Sequence, residues 1–408
     1  MTDALTEKGA LWIVTELYYP EETSTGYYLT RIAEGLANDF DVRVICGQPN
    51  YSARGIVALK RELHNGVEIF RCAGTRLNKN VIPFRLLNML TLGLSTLFMA
   101  LKRLRKGDRV LVVTTPPSMP FIVALASLFR GASYTLLIHD NYPEILVAVG
   151  KTRPGSLLVR VIHYFNRWIY KYAARIIVVG RDMSELIERK TTGLDIPIVT
   201  IPNWAELESV EPRPRPENRL LIDLQLVDNF VFLYAGNMGH PNDLESMVEC
   251  AAKLADHRDI RFIFLGTGVK RPWLEKQVKE QHLTNITVLD PMPRSEQIDF
   301  LNACDVAVVT LVNRMKGVSM PSRTYNALAA GKPILGIVEE GSELAQVVSD
   351  DHVGWIVPPH KPDLLHDAML EIYQHRHDLA EMAKRARSAA LHRYSLELAL
   401  ERYRAALR

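Results

Sequence analysis

The stretch Gly317–Pro333, GVSMPSRTYNALAAGKP, decides how this chain is read. It follows Val306-Ala307-Val308-Val309, a short apolar run bounded by turn residues, as a buried parallel strand is. A loop and then a helix come next: Pro321 suits a first helical turn, Ser322 is a capping residue, and Gly331-Lys332-Pro333 is a stop. Such a helix begins at the carboxyl end of a parallel strand, where its free N–H groups and positive dipole end face outward. Ser319, Ser322 and Arg323 add two hydroxyls and a guanidinium there, a combination suited to a phosphate or diphosphate. The same letters also describe a capped helix with Arg323 in solvent, so the rest of the chain has to discriminate.

Outward from this stretch, apolar strand-like runs alternate with helical patterns. Leu11–Leu17, Val42–Cys46, Val110–Thr114, Tyr134–Ile138 and Ile176–Val179 form one series. Phe230–Tyr234, Arg261–Leu265, Ile286–Leu289, Val306–Val309, Ile334–Ile337 and Trp355–Val357 form a second. Between them, residues 205–219 place Pro212, Pro214 and Pro216 among charged residues without an apolar period, and read as a linker. The fold expected is α/β: two Rossmann-like doubly wound domains, 1–204 and 220–385, facing each other across a central cleft. The tail, 386–408, ends in a helix pattern with no strand after it and is expected to pack back on the first domain.

A chain of 408 residues suits two to three domains, and 48% hydrophobic with 23% charged residues describes a globular protein. A net charge of +3 is too small to argue for nucleic acid as a partner. Cys46, Cys72, Cys250 and Cys304 form no CxxC pair and no zinc-like spacing, which points to a reducing compartment. The opening MTDALTEKGA has no apolar leader region, so a cytoplasmic protein is expected.

Two segments stand out for a bilayer surface. Val81–Leu101 is an apolar segment broken by Arg85, Asn88, Thr91 and Ser95, with Lys102 extending the line; it reads as a helix with one thin polar stripe rather than a transmembrane span. From Leu157, LLVRVIHYFNRWIYKYAAR sets Arg160, His163, Arg167, Lys171 and Arg175 among aromatic residues, a pattern suited to an anionic membrane. Packing against the first domain's sheet accounts for the same two patterns.

Among smaller motifs, Gly236-Asn237-Met238-Gly239 and Gly266-Thr267-Gly268 let ligand phosphates approach backbone, yet neither completes GxGxxG, which disfavours a nicotinamide or flavin enzyme. Lys270 is a candidate second cation. Thr25 and Gly26 stand where a helix begins after LYYPEETSTG and offer hydroxyl and backbone donors. His139, Asp140 and Glu144, in HDNYPE after a strand, suit contacts to sugar hydroxyls or acid–base work, and Asp140 also suits a turn cap before Pro143. No metal-ligand constellation is visible, so no metal is expected.

Taken together, WIVTELYYPEETSTG, TTPPSMP, HDNYPE, IPNW, YAGNMG, FLGTG and PSRTYNALAAGKP resemble the family 4 glycosyltransferases, enzymes of the GT-B fold, and especially the bacterial branch working on colanic acid, O-antigen and capsule. The resemblance runs from about Leu11 to Pro358. It implies transfer of a sugar from a nucleotide diphosphate donor with retention of configuration, no cofactor, and a lipid-linked saccharide acceptor at the cytoplasmic membrane face. It assigns phosphate binding to Lys270 and Arg323, the glycine-rich donor loops to Gly26 and Gly236–Gly239, the cleft histidine to His139, and the base to backbone around Met292, in Asp290–Pro293. The family's paired glutamates correspond to Val318 and Asn326, and Asn237 stands where an arginine is common. Asn326 is then the candidate for a ribose hydroxyl. Two alternatives stay open: a nucleotide-sugar 2-epimerase, and a non-catalytic relative that binds a nucleotide sugar or scaffolds an assembly complex.

Overall fold

The structure is a computed structural model and describes residues 9–50, 57–77 and 81–408. All but the last two residues of the opening segment on which the leader reading rests lie outside the described residues.

The first domain is built on β1 (Ala10–Val14), β2 (Asp41–Cys46), β3 (Arg61–His64), β4 (Val67–Arg71), β5 (Arg109–Val113), β6 (Ser133–Ile138), β7 (Arg175–Val178) and β8 (Ile198–Thr200). Its helices are α1 (Ser24–Leu36), α2 (Ile82–Arg103), α3 (Met119–Arg130), α4 (Glu144–Ala148), α5 (Leu157–Tyr172) and α6 (Arg181–Lys190). The sheet order is β3-β4-β2-β1-β5-β6-β7-β8, parallel except for the β3–β4 hairpin. That hairpin turns at Asn65-Gly66, both with positive φ, 46° and 80°, as a tight primed turn requires.

The second domain has β9 (Phe230–Ala235), β10 (Ile260–Leu265), β11 (Ile286–Leu289), β12 (Val306–Thr310), β13 (Ile334–Ile337) and β14 (Gly354–Val357) in the all-parallel order β11-β10-β9-β12-β13-β14. Its helices are α7 (Arg219–Asp223), α8 (Leu244–Lys253), α9 (Arg271–Glu280), α10 (Gln297–Asn302), α11 (Arg323–Ala329), α12 (Glu343–Asp350), α13 (Pro362–Gln374) and α14 (Leu379–Arg393), before the terminal α15 (Leu396–Leu407). Strands β9, β10 and β12 are apolar runs buried on both faces, as parallel strands between helix layers must be. The chain order reverses between β1 and β5 in one sheet and between β9 and β12 in the other. Crevices open at the carboxyl ends of strands at such points.

Residues 317–333 differ from the expected loop and helix in two ways. Pro321 lies before the helix rather than in its first turn, and Ser322, although at the N-cap position, makes no capping hydrogen bond. The helix ends as expected, Gly331 taking φ 63°.

The chain crosses between domains twice. The linker passes from Ile201 to Asn218, and the return passes through Tyr394, whose carbonyl accepts from Ala205 N–H at 2.8 Å. Helix α14 packs on α11 and α15 on α1, so the return crossing falls at Tyr394-Ser395 and the expected boundary at 386 lies inside α14. Arg404 pairs with Asp39 at 2.7 Å and fixes α15 to the first domain.

Candidate functional site

At the β9–β12 switch point, the loops after β9 and β10 are interlocked. Gly236 N–H donates to Leu265 O at 2.9 Å, Met238 N–H to Thr267 O at 2.8 Å, and Lys270 N–H to Met238 O at 2.9 Å. Gly236, Gly266 and Gly268 hold φ of 152°, 139° and 157°, a region that side chains rarely enter. Asn237 and Gly239 complete the first loop, and Tyr234 Oη donates to the Asn237 carbonyl at 2.7 Å.

Arg323 lies against this pair of loops. A side chain on Gly236 would run into its guanidinium. Its Nη2 donates to Asn242 Oδ1 at 2.6 Å, its charge sits 4.6 Å from the centroid of the Tyr234 ring, and its buried Nε has no partner. A planar cation held by one amide, the Thr310 carbonyl at 3.4 Å and one aromatic face beside a glycine cradle is a preformed anion site. Helix α11 has only seven residues, so the guanidinium contributes more there than the helix dipole. Lys270 stands across the loop at the N-cap position of α9, with Nζ on Asn242 O at 2.6 Å and on Glu245 at 2.8 Å. Met292 is half-buried beyond β11.

The other expected residues are occupied across the domain boundary. Ser322 Oγ meets Ser24 Oγ at 2.8 Å. Thr25 and Gly26 lie in the first turn of α1, capped by Thr23, and a side chain at Gly26 would press on the Glu21 carbonyl. Ser319 forms an antiparallel bridge with Asp140. Beside it, Asn141 N–H donates to Val318 O at 2.8 Å, Asn141 Nδ2 to Gly317 O at 2.7 Å, and Gly317 N–H to Asp182 Oδ2 at 2.8 Å. The first domain therefore grips the loop that leads into Arg323. Asn326 is buried, and both ends of its amide are used by Glu206.

His139 and Asp140 follow β6, and both backbone N–H groups reach Thr114 Oγ1, at 3.2 and 3.4 Å. His139 Nε2 is buried without a partner, and burial pushes the imidazole down to about 4. Burial raises Asp140 above the usual carboxylate range, and a hydrogen bond with the Ser319 side chain opposes this. Glu144 is neutralised by Lys190 at 2.8 Å, with His163 at 3.9 Å. Its charge is thus spent at the start of α4.

The His139 shift has a measurable sign. The imidazole is neutral in the folded protein from about pH 5 upward, so turnover is expected to show no inflection near pH 6.5 from this group. Because its folded pKa lies below the unfolded one, its contribution to stability is present above pH ~6.5 and is lost as pH falls toward 4. Comparing His139→Gln with the wild type by kcat–pH profile and by thermal unfolding at pH 7.5 and 5 checks both; a wild-type inflection near 6.5 that the variant lacks would refute the assignment.

Residues 24–204 match the family described as Glycosyl transferase 4-like domain, and residues 223–389 the family Glycosyl transferases group 1. The probable glycosyltransferase WbjE of Pseudomonas aeruginosa is 30% identical over 406 residues, covering 98% of this chain and 97% of that protein. The chain belongs to the family 4 glycosyltransferases. The putative colanic acid biosynthesis glycosyl transferase WcaI of Escherichia coli K12 is 27% identical, covering 81% of this chain and 83% of that one. Among solved structures, Anabaena HepE in complex with UDP superposes with a TM-score of 0.71 over 98% of this chain and 99% of that chain, at 14% identity, which speaks for the fold.

The fold is GT-B, and the enzyme is a family 4 glycosyltransferase of the polysaccharide-biosynthesis branch. With these relatives the 2-epimerase alternative is not favoured. Residues not singled out from sequence are Tyr234, Asn242, Asn141 and Glu206. Asn141 lies inside the quoted HDNYPE, so its place was visible while its partner, a backbone loop of the other domain, was not. Among the described residues no three His, Cys, Asp or Glu side chains group as metal ligands.

Proposed function

We propose that this glycosyltransferase moves a sugar from a nucleoside diphosphate donor to a lipid-linked saccharide, with retention at the anomeric carbon and with protein cations in place of a metal. The observation that carries the reading is Arg323, held by Asn242 and Tyr234 against the Gly236 and Gly266–Gly268 loops. The HepE complex with UDP, a protein of the same fold, supports a nucleotide in this crevice.

In this mechanism the anomeric C–O bond to the diphosphate breaks and two negative charges build on the leaving group. Arg323, Lys270 and the backbone N–H groups of the glycine loops meet them. The acceptor hydroxyl enters from the face the diphosphate leaves, forms the new C–O bond, and gives its proton to the departing phosphate oxygen; no enzymic nucleophile is needed. His139, neutral and unpartnered at Nε2, orients the donor sugar, and Asp140 supports the developing oxocarbenium charge. Proton NMR of the glycosylated lipid in EDTA-containing buffer tests the reading: the expected outcome is undiminished transfer with the donor's anomeric configuration. Inversion, or loss of activity restored by Mg²⁺, would overturn it.

A lipid-linked acceptor is supported by the outer face of the first domain. In α2 Asn88 and Thr91 of the polar stripe turn inward, bonding to Thr75 and Leu77, Arg85 and Lys102 stay exposed, and Phe84, Leu87, Leu90, Leu94 and Phe98 face out, Phe98 being 71% exposed. Residues 83–103 are long and apolar enough to cross a membrane by length and composition, but Thr96 and Ala100 are buried and α2 packs along α3, so we read the helix as lying on the surface. Leu125, Leu128 and Phe129 of α3 and Leu157, Leu158, Val161, Tyr164 and Phe165 of α5 extend the same exposed face, α3 joining α5 through Phe121 and Phe165. Arg160, Arg167 and Lys171 flank it, whereas Arg175, expected on the same helix, lies in β7 and is used on the Ala406 carbonyl.

We place this face on the cytoplasmic leaflet. Each cation near an anionic surface contributes on the order of 1 kcal/mol. Reversing Arg160, Arg167 and Lys171 to glutamate is therefore expected to abolish co-sedimentation with anionic liposomes at low salt and leave neutral liposomes unaffected. Equal, negligible sedimentation of the wild type with both would refute the membrane role.

A further inference from the structure

Glu206 is the first carboxylate of the linker, and it is 6% exposed. Its backbone N–H donates to Asn326 Oδ1 at 3.0 Å, and its Oε1 accepts from Asn326 Nδ2 at 2.9 Å. The same Oε1 pairs with Arg294, whose guanidinium lies 3.8 Å from the centroid of the Tyr27 ring of α1. Three parts of the molecule thus converge on one buried charge: the linker, α11 and the segment after β11.

Asn326 stands three residues after Arg323 and so shares its face of α11. Arg294 directly follows Met292-Pro293. Glu206 thus touches both the helix that carries Arg323 and the residue that follows the segment assigned to the base. In any nucleoside diphosphate the ribose lies between the diphosphate and the base. A buried carboxylate is the acceptor that a vicinal diol meets best, since each hydroxyl donates to it in a charge-assisted bond.

The identity of residue 326 follows from the same contacts. An amide accepts from one backbone N–H and donates to one carboxylate at once. A glutamate at 326 would do neither without setting two carboxylates against each other in a dry site. We propose that Glu206, presented by Asn326, is the ribose-recognising carboxylate of this enzyme, the charge having moved from the helix to the linker. Both protein contacts fall on Oε1, which leaves Oε2 for the diol. The inference rests on reading the cleft as the nucleotide-sugar site.

Isothermal titration of UDP and GDP, each beside its 2′,3′-dideoxy counterpart, tests it on the wild type, Glu206→Gln and the double variant Glu206→Gln/Asn326→Glu. The wild type is expected to prefer the hydroxylated form of its nucleotide by about tenfold or more, the size of one charge-assisted hydrogen bond. Glu206→Gln is expected to bind both forms within about twofold of each other, and the double variant, with the carboxylate returned to α11, to regain the preference. A Glu206→Gln protein that keeps the wild-type preference overturns the inference while leaving the donor site intact. Wild-type protein that binds neither nucleotide overturns the donor-site reading itself. If Glu206→Gln melts early, the double variant decides alone: no preference there refutes the relocation.

Discussion

Arg323→Ala is expected to lower turnover about 100- to 1000-fold, the range for removing one preorganised donor to a developing charge. Lys270 is a poor substitute for the guanidinium, because it divides its ammonium between the Asn242 carbonyl and Glu245. Lys270→Ala is accordingly expected to cost less, about tenfold. Arg323→Lys should recover little, because a point charge on a flexible stem cannot both donate to Asn242 Oδ1 and stack on Tyr234. The loss should fall mainly on kcat, since the leaving diphosphate carries more charge in the transition state than in the bound donor. Full activity in Arg323→Ala, measured by donor consumption at saturating acceptor, would remove the diphosphate site from this crevice.

Gly266→Ala should be nearly as severe by a different route. A methyl group there would strike the Gly236 carbonyl, backbone against backbone, in a residue whose φ is 139°. Conformational strain of this kind costs of order 1–3 kcal/mol before the displacement of the neighbouring loop is counted. Relief requires the β9 and β10 loops to part, and that breaks the Gly236-to-Leu265 and Met238-to-Thr267 bonds which shape the cradle. The expected result is a lower melting temperature together with a more than tenfold loss of UDP or GDP affinity. Gly155→Ala, where an added Cβ meets nothing, should change neither. Unaltered nucleotide binding in Gly266→Ala would mean that these loops do not hold the ligand.

The two-domain plan was legible because buried parallel strands are written as near-continuous apolar runs: β9 is apolar throughout, β10 is broken only by Arg261, and β12 is apolar up to its last residue, Thr310. The β3–β4 hairpin was missed: Arg61–His64 alternates between exposed and half-buried residues, and its only strong signal is Asn65-Gly66. Arg323 and the glycine loops could be found from sequence because a phosphate cradle is local, a turn and the helix after it. The Ser322 hydroxyl was assigned to its own helix and instead meets Ser24, 298 positions away in the chain. Asn141 and Glu206 belong to the same kind, since their partners come from the opposite domain, and no local period encodes a partner across a cleft. Arg175 shows the reverse error: five-residue continuity with Tyr170 and Lys171 suggested one helix, but Ala173 already leaves it and β7 begins.

The hydrogen bond from Ala205 to the Tyr394 carbonyl ties the outgoing and returning crossings side by side. A single tether would let one lobe swivel, tilt and slide against the other. Two tethers pinned at one point behave like a door hinge, with a single favoured axis, and α15 anchored on α1 keeps that axis registered to the first sheet. Any motion between the lobes is then confined to one arc, and the contacts of Asn141 with the Gly317–Val318 backbone and of Ser24 with Ser322 keep one register. Precision of the assembled cleft is in this way delegated to the place where the chain crosses between the domains.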